Sequence, residues 1–224
     1  MTSKLQLAQQ IIRILSGGTP SRDSEFSEGH IMMAVSQAFA YAVKTNLFQN
    51  KAEGEYDVSG GFIYSFEGDG SGVPIQFDKN KELYYCEMPA SVISLPNEIG
   101  ISSVSFMHDL QNSFVRVPYN FMSLTKGREI RGLQNQKPYY LENDSKGGGR
   151  LYFPTLNKTD IKEGKGMLLR LVAAIQDIDE DTPLNLDAAI QAEIVQSVVK
   201  LYSIENSIPK DVVNDSKPIN SNTK

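Results

Sequence analysis

Tryptophan is absent from this chain of 224 residues, cysteine occurs once and histidine twice. The single cysteine, Cys86, excludes an internal disulfide and fits a reducing compartment. His30 and His108 stand far apart in sequence. There is no His-Glu-x-x-His and no cysteine pair, so no metal motif is legible. His108-Asp109 resembles an orienting pair for a base, but no Gly-x-Ser-x-Gly elbow accompanies it. Charge of positive sign is also short, with a formal net charge of -5. That balance gives no electrostatic reason to expect nucleic acid as a partner. No apolar run is long enough to cross a bilayer. Gln9, Gln10 and Arg13 interrupt the apolar start that a signal peptide requires. These absences predict a protein that is made in a cytoplasm and stays soluble, with no membrane partner and no cofactor.

What is present is periodicity. Residues 3–16 read as an amphipathic helix, with Leu7, Ala8, Ile11, Ile12, Ile14 and Leu15 on one side. Thr2 or Ser3 caps its start, and Gly17-Gly18 before Pro20 stops it. A polar linker follows. A second helix starts near Ser27 and runs to about Leu47, its face formed by Ile31, Ala34, Val35, Ala38, Phe39 and Ala42. Its polar remainder is thin (Ser36, Gln37 and Lys44), which predicts cover on more than one side.

From Gly54 the period becomes alternating. Residues 62–66 and 73–77 read as a hairpin around a glycine-rich loop, and Pro74 places the second strand on an edge. Further strands are read at 83–88, 101–106 and 114–118, and a second hairpin at 139–142 and 150–154. The tip of that hairpin, Asn143 to Gly149, is expected to be mobile and solvent-facing. The glycine loops all lead into strands, not helices, so they read as hairpin tips and not as phosphate cradles. The run Met167 to Ile175 reads as a buried strand. The acidic turn Asp177 to Asp181 lacks calcium-loop spacing and reads as a solvated connection. A last helix, about Leu186 to Tyr202, carries one apolar stripe of Leu186, Ile190, Ile194, Val198 and Leu201, of which Ile190, Ile194 and Val198 serve the core. Ala188, Val195 and Val199 form a second apolar side. The tail from Ser203 onward is polar and should need a neighbour to hold it.

The grouping is helices, then many short strands, then one helix. It predicts an α+β fold with an N-terminal helical pair and a C-terminal helix packed with an antiparallel β-rich module. The expected division is residues 1–50, a helical hairpin; 51–182, the β-rich module with long hairpin loops; 183–206, the C-terminal helix on the helical pair; and 207–224, the tail.

The order of elements resembles the head-to-tail connector adaptor proteins of tailed bacteriophages, in particular the short-tailed tubular type. The residues that carry the likeness are Ile11-Ile12-Arg13-Ile14-Leu15-Ser16-Gly17-Gly18-Thr19-Pro20-Ser21-Arg22-Asp23-Ser24, Leu151-Tyr152-Phe153-Pro154 and Glu180-Asp181-Thr182-Pro183-Leu184. The Ser-Gly-Gly-x-Pro-Ser start is also similar to structural proteins of crAss-like phages. The resemblance implies a non-enzymatic virion component that forms a ring with copies of itself, commonly twelvefold. It also implies portal and other neck or tail ring proteins as partners, and DNA passing through the channel without specific binding. Candidate contact residues are Lys146, Gly147, Gly148 and Gly149 in the hairpin, Ala188, Val195 and Val199 on the last helix, and Ile208, Pro209, Val212 and Val213 in the tail. A second reading is a single-stranded nucleic-acid or accessory binding module. It would use Lys126, Arg128 and Arg131, with Lys137 and Arg150 and the nearby Tyr139, Tyr140 and Tyr152.

Overall fold

The computed structural model describes residues 2–18, 27–55, 57–96, 100–121, 137–143, 149–161 and 165–207. The linker 19–26, the basic segment 122–136, the hairpin tip 144–148 and the tail 208–224 lie outside the described residues. The fold is α+β, as the sequence predicts: three helices beside antiparallel and mixed sheets.

The first helix, α1 (Lys4–Leu15), begins at a capping box. The Ser3 hydroxyl accepts from the Gln6 amide at 3.3 Å, and Gln6 Oε1 accepts from the Ser3 amide at 3.1 Å. It ends in a Schellman turn. The Gly18 amide donates to the Arg13 carbonyl at 2.9 Å and the Gly17 amide to the Ile14 carbonyl at 3.2 Å. Gly17 takes φ +68°, which a side chain would strain. The second helix, α2 (Glu28–Ala52), outruns its expected end by five residues. Ser27 occupies its N-cap position but makes no side-chain cap hydrogen bond. The third, α3 (Ala188–Ser207), packs on both α1 and α2. Their shared core holds Leu7, Ile11, Ile31, Val35, Phe39, Val43, Ile194 and Val198. Phe62, Val172 and Ile175 enter it from the β-module, so helices and sheets share one apolar layer. Ile14, expected on the core face of α1, is instead 48% exposed.

Eleven strands are described: β1 (Thr2–Ser3), β2 (Tyr64–Phe66), β3 (Ile75–Asp78), β4 (Leu83–Glu87), β5 (Ile101–Phe106), β6 (Asp109–Ser113), β7 (Val115–Arg116), β8 (Pro138–Asn143), β9 (Gly149–Phe153), β10 (Met167–Leu171) and β11 (Pro183–Leu184). They form sheets of order β1-β11, β2-β10-β5-β6 and β3-β4-β9-β8-β7. The two larger sheets face each other across a core of Cys86, Val104, Phe106, Leu151, Phe153, Met167, Leu169 and Leu171. Burial at Cys86 pushes its thiol well above the ordinary range, which leaves it an inert packing residue.

The strand Met167–Leu171 lies centrally, paired with β2 on one side and β5 on the other. The β8–β9 hairpin pairs as expected, and β3 is an edge strand as Pro74 implies. The expected hairpin of β2 with β3 does not form: the two strands belong to different sheets. The chain changes sheet at residues 71–73, which hydrogen-bond to Gly166 and Met167 beside β10. The crossing is tight because two glycines meet there. A Cβ on Gly166 would lie 2.3 Å from the Val73 carbonyl oxygen, and one on Gly72 would lie 2.7 Å from Gly166 carbonyl carbon. Gly166→Ala is therefore expected to lower stability by about 2 kcal/mol or more, read as a lower urea midpoint at unchanged slope.

Candidate functional site

Among the described residues no group of three or more His, Cys, Asp or Glu could hold a metal ion. His108 lies in the turn between β5 and β6, with its ring stacked on Phe106 at 4.8 Å. The Asp109 carboxylate accepts from Asn112 Nδ2 at 3.0 and 2.9 Å, a local contact within β6. In the acidic turn, Asp177, Asp179, Glu180 and Asp181 are exposed. The Asp177 carboxylate accepts from the Ser91 amide at 2.6 Å, which ties the turn to the segment after β4. A cleft of about 600 Å³ opens there, lined by Met88, Val92, Leu95, Leu141, Asn143 and Asp177 among others. Asp177 is the one ionisable group among its described lining residues.

Lys126, Arg128 and Arg131 lie outside the described residues. The other two cations of that patch are each paired with a carboxylate. Lys137 Nζ sits 2.7 Å from Asp160 Oδ1, and Arg150 sits 3.5 Å from Glu87 Oε1. The hydrogen bond from Lys137 holds the Asp160 carboxyl below the ordinary carboxylate range. A depressed folded value means the contribution is present above the unfolded carboxyl value, ~3.9, and is lost as pH falls through the lower folded one. Asp160→Asn should therefore destabilise by less than about 1 kcal/mol near neutral pH, because the pair is partly solvated. The gap between the two proteins' thermal midpoints should close at strongly acid pH.

The tyrosines divide between the two faces of their sheet. Tyr139 points into the sandwich core, and burial pushes its hydroxyl up to about 12. Tyr140 and Tyr152 stack on the outer face at 5.3 Å and 15°. Both are nearly inaccessible, and Lys81 lies 4.2 Å above the Tyr152 ring and pairs with Glu142. Tyr152 donates to Asp78 at 3.0 Å, and Tyr85 donates to Gln76 at 2.6 Å. An open stacking platform for bases needs exposed rings and unpaired cations. The described part of this face provides neither at Tyr140 and Tyr152.

The contact residues read from the sequence fare unevenly. Lys146, Gly147, Gly148, Ile208, Pro209, Val212 and Val213 lie outside the described residues. Gly149 is a strand residue: its carbonyl accepts from the Met88 amide at 2.8 Å, and a Cβ there would lie 2.6 Å from Met88 Sδ. It is a packing position and not a loop tip. Val195 is 7% exposed and belongs to the helical core, where α3 is gripped by α1 and α2. Val199 is half-buried against the same core and Ala188 is exposed. The second apolar side of α3 is therefore largely internal, because the shared core takes in more of the helix than one stripe. Leu201, at the end of the first stripe, is 45% exposed.

Among the described residues, one uncovered apolar stripe belongs to α2. Met33, Tyr41 and Phe48 are 57%, 64% and 60% exposed. With the exposed Gln37 and Lys44 they follow the spacing i, i+4, i+8, i+11, i+15, which is one side of a helix. The stripe runs about 22 Å at a rise of about 1.5 Å per residue. The sequence holds this signal. It is masked because α2 is apolar on nearly every side, so periodicity does not show which side is left over. No protein-family model and no curated protein matches the chain.

Proposed function

We propose that this protein is a structural virion component that assembles with copies of itself into a ring, as in a phage head-to-tail connector. The observation that carries the reading is the outward stripe of α2. Three large apolar side chains, each more than half exposed and in register on one rigid helix, are costly to leave in water. Methionine and aromatic residues are enriched at the centres of protein interfaces. The resemblance in element order supplies the kind of assembly: a ring in the neck or tail, commonly twelvefold, with portal and other neck or tail ring proteins above and below. DNA would pass through such a channel, and a chain of net charge -5 gives it no general reason to stick.

No observation favours the nucleic-acid reading over this one, since Lys137 and Arg150 are paired within the chain. Light scattering coupled to size exclusion, on the protein alone and with a portal ring, tests the proposal. Discrete oligomers or a complex are expected. A protein that stays monomeric and binds neither a portal nor a tail ring contradicts it.

A further inference from the structure

The cleft after β4 has one wall made of consecutive main chain, residues 88–95. Within that wall the Ser91 carbonyl accepts from the Ala174 amide at 2.8 Å, and the Ile93 amide donates to the Val172 carbonyl at 3.0 Å. These bonds flank an antiparallel bridge of Val92 with Ala173, just past β10. Main-chain groups of successive residues in extended chain turn to opposite sides, so Val92 turns its N–H and C=O away from that bridge. Among the described residues neither group has a hydrogen-bond partner. An unpaired donor and acceptor on an extended edge beside an apolar slot is the arrangement that takes an added strand. The slot itself is apolar, with Met88, Val92, Ile101 and Leu141 half-buried along it. Its one ionisable lining group, Asp177, is held beside the wall by the Ser91 amide.

The matching occupant is an extended segment that shows apolar side chains and one cation on the same face. Ile208-Pro209-Lys210-Asp211-Val212-Val213 has that pattern. At the strand period of two, Ile208, Lys210 and Val212 share one face and Asp211 falls on the other. The chain's own copy of this segment starts too far away. β1 pairs with β11, and Lys4 donates to the Ile175 and Gln176 carbonyls next to Asp177, so α1 and α3 both begin at the cleft end. α3 then packs along α1 and α2 for 20 residues, which is about 30 Å. The three residues from Ser207 to Lys210 span at most about 11 Å, too little to return.

We propose that residues 208–213 of a neighbouring copy add as a strand along Ser91–Ser94, with Lys210 paired to Asp177 and with Ile208 and Val212 in the apolar slot. The inference rests on the self-assembly reading and adds a direction to it. Each copy gives a tail on one side and receives one on the other, a head-to-tail contact that can close a ring.

The test uses full-length protein, with equal amounts of unlabelled and nitrogen-15-labelled chains mixed and assembled. Carbodiimide coupling joins an amine to a touching carboxylate without a spacer, and mass spectrometry then locates the link. A Lys210–Asp177 amide that carries one labelled and one unlabelled peptide is expected. In parallel, Lys210→Asp and Val212→Asp should each weaken assembly by about tenfold or more. If wild-type protein is monomeric throughout, the self-assembly reading falls and this inference with it. If wild-type protein assembles, the assembly reading stands, and either of two results overturns the tail contact. One is the lack of a mixed-label link, including the case in which Lys210 couples to Asp177 only within one chain. The other is unchanged assembly of both variants.

Discussion

Replacing Met33, Tyr41 and Phe48 together by serine is expected to abolish self-assembly and leave the monomer folded. The three side chains point outward from α2 at 57%, 64% and 60% exposure, so the isolated subunit draws little of its stability from them. Surface substitutions of this kind usually change stability within about 0.5 kcal/mol each. At an interface the same side chains are anchors, and truncating one typically costs about 2 kcal/mol or more of binding free energy. Three such losses are not strictly additive, yet even two weaken association by a factor of roughly a thousand. Sedimentation velocity separates the outcomes. The expected result is a monomer with an unchanged circular dichroism spectrum and a thermal midpoint close to wild type. Assembly that matches wild type would remove α2 from the interface.

Phe39→Ala, six residues from Met33 and two from Tyr41, should do the opposite. Phe39 is on the inner side of the same helix at 0% exposure. Its ring meets Phe62 edge-on at 5.6 Å, and Phe62 lies in the 3-10 turn Gly60–Phe62 that leads toward β2. The contact therefore ties the helical layer to the sheets. Truncating a fully buried phenylalanine costs about 3–5 kcal/mol through lost transfer energy and the cavity left behind. Against a total stability of about 5–15 kcal/mol that is a large fraction. Urea unfolding followed by far-ultraviolet circular dichroism should show a much lower midpoint, and a marginal fold would be largely unfolded at body temperature. A loss below about 1 kcal/mol would mean that Phe39 does not hold the two layers together.

The contrast between positions 39 and 41 shows what the sequence can tell. The existence and type of the long elements were legible. Ser3 with Gln6 marks the start of α1, Gly17-Gly18 marks its end, and the run from Met167 makes the central strand β10. Their local chemistry suffices: a cap hydrogen bond, a positive φ and a continuous apolar run. Partner choice was not legible. Residues 62–66 and 73–77 carry strand pattern and a glycine loop between them, yet β2 pairs with β10 and β3 with β4. The deciding contact is the approach of Gly72 to Gly166, far apart along the chain. Short strands escape for the same reason. Thr2 pairs with Leu184 and Ser3 with Pro183, and neither segment has strand character of its own.

The candidate surface was legible only as a surplus. The thin polar remainder of α2 implies more than one covered side, and the structure shows α1 and α3 packed on it. It also leaves Met33, Tyr41 and Phe48 in water, at positions that share their angular sector with Gln37 and Lys44. The surplus on α3 went the other way: Val195 is inside the chain's own core. Counting apolar residues on a helix therefore gives the number of faces to be covered, while the fold decides which of them the chain covers itself. Lys4 lies beyond any such count, because a lysine at a helix start reads as exposed until Ile175 and Gln176 close over it.

Self-assembly is the claim on which the rest depends, and the mass of the assembled species tests it most directly. Mass photometry of the full-length protein, over a dilution series and with portal rings added, reads that mass particle by particle. The expected result is one discrete species at a whole-number multiple of the chain mass, either alone or on the portal, seen as a closed ring by negative-stain microscopy. A single-chain mass at every concentration, with portal rings left bare, would contradict it.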